Sequence, residues 1–144
     1  MPAPNEPNFT FDPSPQLLWA NGLAICASLL LALFLLTLAV GWARHFSLWL
    51  RLSALLSLVA STAMTLAAHH LYDTYAYWSA LLDQLFFHQR SPPEPTMLVY
   101  YHEQVSANQQ AVVLGWGGSV VTGALLAVGL LGMWRLLRKT PGHR

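Results

Sequence analysis

Residues 47–73 read SLWLRLSALLSLVASTAMTLAAHHLYD. The run has bilayer length, since ~20 predominantly apolar residues in a helix cross a hydrocarbon core. A polar residue recurs at every fourth position: Ser53, Ser57, Ser61, Thr65, His69 and Asp73. Residues four apart are neighbours on a helix surface, so these six form one ridge. The run opens beside Arg51 and closes in His69, His70 and Asp73, which makes its two ends chemically unlike. The pattern predicts a membrane span with a hydroxyl face for packing and a histidine- and acid-bearing end.

The totals point the same way. A chain of 144 residues is one domain by length. Hydrophobic residues make up 55% and charged residues 9%, whereas a soluble domain carries roughly 25% charged. That deficit is too large for a water-facing surface and makes lipid the main solvent. A net charge of +1 supplies no bulk attraction to nucleic acid, so no nucleic-acid partner is expected. Cys26 is the chain's one cysteine and lies in an apolar run. An intrachain disulfide and a cysteine metal motif are therefore excluded, and a small buried or lipid-facing side chain is the expectation.

Working outward, residues 1–16 hold five prolines, two acids and no Lys or Arg. Proline at this density predicts an extended, solvated tail, and the missing basic region argues against a signal peptide. Phe9 and Phe11 are its candidate docking residues. Residues 17–43 carry no charge and predict transmembrane helix 1, bracketed by Trp19 and Trp42, about 34 Å apart along a helix. The short link at Arg44 and His45 makes it an antiparallel hairpin with transmembrane helix 2, residues 47–73.

Residues 74–110 are too charged to span and predict an amphipathic helical cap. Within it, Trp78, Leu81, Leu82, Leu85 and Phe86 recur at helical spacing before Ser91-Pro92-Pro93-Glu94-Pro95 interrupts. Thr96 is the candidate cap of a further helix running into the next span. Transmembrane helix 3 covers residues 111–137, and a basic tail covers 138–144. Ala111, Gly115, Ser119, Gly123 and Ala127 form a second every-fourth-residue ridge of small side chains. Such ridges suit right-handed crossings of about −40° and are candidate packing surfaces between spans two and three, within one chain or between chains.

Arg44, Arg51, Arg135, Arg138, Lys139 and Arg144 gather at one end of this layout, and Arg90 stands alone at the other. All six acids (Glu6, Asp12, Asp73, Asp83, Glu94 and Glu103) lie opposite the basic cluster. The positive-inside rule then expects the N-terminus outside, residues 74–110 extracytoplasmic and the C-terminus cytoplasmic. Trp19, Trp78 and Trp116 would mark the outer interface, with Trp42, Trp49 and Trp134 at the inner one.

Chemistry, if present, belongs to the acidic end. His69, His70, Asp73, His88 and His102 are the candidate metal ligands, with His69 and Asp73 one turn apart so that the carboxylate can orient the imidazole. The spacing matches no HExxH, CxxCH or CxxC pattern, and spans one and three hold no histidine for an intramembrane haem. No phosphate loop or nucleophile elbow is present, so no catalytic residue is assigned and no cofactor is predicted.

The expectation is an all-α integral membrane protein with three transmembrane helices and an extracytoplasmic amphipathic helical cap between helices 2 and 3. Its expected role is a small non-catalytic accessory or assembly subunit of a larger complex in a bacterial inner membrane, of respiratory, secretion or transfer type. The bilayer and other membrane subunits, or further copies of itself, would be its partners. Two alternatives follow from the same residues: a redox, metal- or haem-binding protein using the outer histidines, and a component of a small oligomeric channel or transporter.

Overall fold

The computed structural model describes residues 9–87 and 92–139. It is all-helical there: α1 runs Ser14–Arg44, α2 Leu48–Phe87 and α3 Glu94–Arg138. Each helix contains a stretch long and apolar enough to cross a bilayer. The protein is therefore a multi-pass, three-span helical membrane protein. At 1.5 Å per residue, α2 and α3 are about 60 and 67 Å long, twice the ~30 Å of a hydrocarbon core. Both extend well past the bilayer at the acidic end.

The helix boundaries follow from local chemistry. Proline sits in the first turn of α1 and again of α3, where the missing N–H has no intrahelical partner to lose. Pro93, with no side-chain bond, occupies the cap position of α3 in place of Thr96, which lies inside the helix. Ser47 caps α2, its hydroxyl accepting from the Leu50 N–H at 3.4 Å. Between α1 and α2 the chain turns through His45, whose φ is 69° and ψ 139°. The Phe46 ring folds back onto Gly41, filling the space a Cβ there would occupy.

Close contacts fix the topology. A Cβ on Gly118 would run into Leu23 and Met64, and one on Gly129 into Leu33 and Ser53. Leu23 and Leu33 ascend with the glycines, so α1 and α3 run parallel. Met64 and Ser53 descend, so α2 is antiparallel to both. α1 is the central element: it packs mostly on α2, less on α3, and α2 and α3 meet least. Ala20, Leu23, Leu30, Met64 and Leu71 centre one core cluster towards the acidic end, and Leu33, Leu50 and Met133 a second towards the basic end.

The buried face of α2 runs Leu50, Ala54, Ser57, Ser61, Met64, Ala68 and Leu71. Those steps alternate four and three, the spacing of left-handed packing at crossings of about +20°. The four-residue ridges drift off this seam. Ser57 and Ser61 are buried and Ser53 half-buried, while Thr65, His69 and Asp73 are exposed. On α3, Ala111 and Gly115 are buried, but Ser119, Gly123 and Ala127 are exposed. Gly118, Gly129 and Gly132 share the close approaches with Gly115.

Two expectations for the acidic end change. Residues 74–87 continue α2 without a break instead of forming a separate helix, whereas residues 94–110 run into the third span as expected, as the first turns of α3. The N-terminal segment is helical from Ser14 and lies against its own chain. Phe9 packs on Tyr101, and Phe11 on both Tyr101 and Phe86. Residues 1–8, 88–91 and 140–144, among them Glu6, His88, Arg90 and Arg144, lie outside the described residues.

Candidate functional site

The acidic end is built where α1 begins, α2 rises past the bilayer and α3 descends towards it. Trp78 on the α2 extension is turned inward and only 3% exposed. Gln104 on α3 and Gln16 on α1 are fully buried amides beside the apolar core. Gln16 Nε2 donates to Asn108 Oδ1 at 3.0 Å, and Asn108 Nδ2 donates to the Asp12 carbonyl at 2.9 Å. One asparagine thus ties the N-terminal segment and the first turn of α1 to α3. Deeper in, the Tyr72 hydroxyl donates to Asn21 Oδ1, joining α2 to α1.

Asp12 also accepts from the Ser14 backbone N–H at 3.0 Å. The Ser14 hydroxyl and then that N–H hold its carboxyl below the ordinary aspartate value. A depressed carboxyl stabilises the fold above its unfolded pKa, and the contribution is lost as pH falls through the folded value. The start of α1 is therefore secured at neutral pH and loosens only in acid.

The histidines do not converge. His69 Nε2 is 3.4 Å from Asp73 Oδ2, with the two side chains 74% and 68% exposed. An exposed pair of this kind contributes little to stability. His70 and His102 are exposed as well. Among the described residues, no three metal-ligating side chains come together. The fourth candidate histidine, His88, lies outside them.

The hydroxyl ridge is occupied with backbone. Ser57 donates to the Ser53 carbonyl at 2.6 Å, Thr65 to that of Ser61 at 2.9 Å, and Ser28 to that of Ala24 at 2.9 Å. Ser61 crosses helices, donating to the Ala27 carbonyl of α1 at 2.8 Å. Hydroxyls in membrane helices commonly close on the carbonyl four residues back, as three of these do, and Ser61 joins α2 to α1. Along one side of that hairpin, Ala24, Ala27 and Ala68 floor a shallow groove whose polar rim includes Ser28, His69 and Tyr72.

Three groups stand out that spacing arguments pass over: among the described residues, Gln16 Oε1, Gln104 Nε2 and Thr122 Oγ1 are buried with no hydrogen-bond partner. The signal was present for Gln104, which falls seven residues before Ala111 on the face that also carries Gly118 and Thr122. An amide in register with an apolar seam is a buried amide.

Comparison with protein-family models, curated proteins and solved structures returned no match.

Proposed function

We propose that this chain is a small non-catalytic accessory or assembly subunit of a larger membrane complex, of respiratory, secretion or transfer type, in a bacterial inner membrane. The observation that carries this reading is on α3. Its close-packing glycines face α1 and α2, yet a second stripe of small residues, Ser119, Gly123 and Ala127, remains exposed. A Cβ on Gly123 would meet nothing within 4 Å. Small residues let helix backbones approach closely in lipid, where the hydrophobic effect gives no drive to associate. The stripe opens towards the basic end into an apolar groove between α1 and α3, lined by Leu36, Val40, Ala127, Leu130 and Trp134. A neighbouring span would have both a flat track and a recess for its side chains.

The test is purification in mild detergent followed by mass spectrometry. Wild type should retain a membrane protein at fixed stoichiometry, and Gly123→Leu should release it. Val121→Phe, exposed on another face of α3, should keep it. A chain that purifies alone as a monomer, or loses its partner equally with both variants, would refute the reading.

A further inference from the structure

The basic end carries a second groove, between α2 and α3, of a different character. It holds about 410 Å³, and its lining combines the apolar Trp49, Val128, Leu131 and Leu136 with Arg135 and Lys139. Trp49 leans its indole edge against Gly132, so the ring forms one wall. Arg135 and Lys139 are one helical turn apart and both exposed, which places their charges above the same strip of apolar surface. Arg138, by contrast, is stacked on the Trp134 ring with its guanidinium carbon 4.5 Å from the ring centroid, and it does not line this groove.

Among the described residues no carboxylate lies near these cations. Asp12, Asp73, Asp83, Glu94 and Glu103, the acids among the described residues, all lie at the opposite end. The one close contact of a carboxylate with a basic side chain among the described residues, His69 with Asp73, is at that end too. What the site calls for is therefore an anion continuous with an apolar chain, sitting where α3 leaves the bilayer. A free inorganic anion would leave the apolar floor uncovered, and a neutral lipid would leave the two cations uncompensated.

We propose that this α2–α3 groove binds one anionic phospholipid, its phosphate held between Arg135 and Lys139 and an acyl chain laid along Val128, Leu131 and the Trp49 ring. Basic recesses between transmembrane helices suit anionic headgroups, and each cation near a charged membrane surface contributes about 1 kcal/mol. The site is independent of the partner surface on the Ser119–Ala127 stripe.

The test titrates the full chain, purified in an uncharged detergent, with phosphatidylglycerol, phosphatidylcholine or inorganic phosphate, and counts adducts by native mass spectrometry. Phosphatidylglycerol should bind at one per chain, with phosphatidylcholine and phosphate far weaker. The double variant Arg135→Gln/Lys139→Gln should bind phosphatidylglycerol roughly thirtyfold less tightly, the loss expected for two such charges. Val128→Trp fills the groove with the charges intact and should also weaken binding, by about tenfold or more. Arg138→Gln should stay within about twofold of wild type. Circular dichroism checks that each variant keeps its helices. Equal binding of phosphatidylcholine or of phosphate, an unaffected double variant, an unaffected Val128→Trp, or an equal loss in Arg138→Gln would each overturn the site.

Discussion

At the scale of single residues, the buried amides separate two effects that composition alone lumps together. Gln104 is 1% exposed with its Nε2 unpartnered, whereas Gln16 is 0% exposed and spends its Nε2 on Asn108 while its Oε1 has no partner. An unmet buried donor carries a desolvation cost of about 1–3 kcal/mol, while a made hydrogen bond contributes about 1 kcal/mol net. Replacing each by leucine, close in size and apolar, should therefore act unequally. Gln104→Leu should raise stability by about 1 kcal/mol. Gln16→Leu should change it by less, because the donor lost to Asn108 is offset by removal of the unmet Gln16 Oε1. Unfolding by sodium dodecyl sulfate in mixed micelles, followed by circular dichroism, reads both. A destabilised Gln104→Leu would show that the amide has a partner of its own, such as an ordered water.

Elements obey the same separation between what is used and what is left over. The α1–α2 turn forces His45 to φ 69° and ψ 139°, a region in which a side chain costs of order 1–3 kcal/mol. Glycine has no Cβ to clash there, so His45→Gly should raise the unfolding midpoint, by about 1 kcal/mol in the same mixed-micelle titration. An unchanged midpoint would mean that the turn relaxes at no cost. The turn itself was legible in the sequence, because Arg44 and His45 interrupt two apolar runs and leave too few residues for anything but a hairpin. The seam was only half legible. Ridges spaced by four name the right helices and the right small residues, but on a helix with 3.6 residues per turn they rotate out of any long interface. The observed seam alternates three and four, which selects Gly118 and Thr122 and leaves out Ser119 and Gly123. At residues 75–87 the helix was legible, but not its continuity with α2. Charges there exclude a span but not a helix, and the segment simply prolongs α2. Phe9 and Phe11 were recognisable as sticky, yet nothing local to them revealed that Tyr101 and Phe86 would be the surface they meet.

Over the whole molecule, the governing feature is polarity along the helix axis. Arg44, Arg51, Arg135, Arg138 and Lys139 stand at one end of the helices, and every described Asp and Glu stands at the other. The same division separates the grooved, cation-rimmed end from the taller end that carries the buried amides, the histidines and the packed N-terminal segment. Translocating this basic cluster would work against the membrane potential, whereas cytoplasmic retention of Lys and Arg is the general rule for short loops and tails. The expected orientation therefore has Lys139 in the cytoplasm and Glu94 outside. Cys26 is the chain's one cysteine, so a Cys26→Ala background permits single reporters at Glu94→Cys and Lys139→Cys, both at exposed positions. A membrane-impermeant maleimide applied to intact cells should label the first and spare the second until the membrane is opened. The reverse pattern would place five cations on the outer surface, and labelling of both would be incompatible with an odd number of spans between the two reporters. Since one full span of α3 separates residues 94 and 139, either result would break the link between charge asymmetry and topology.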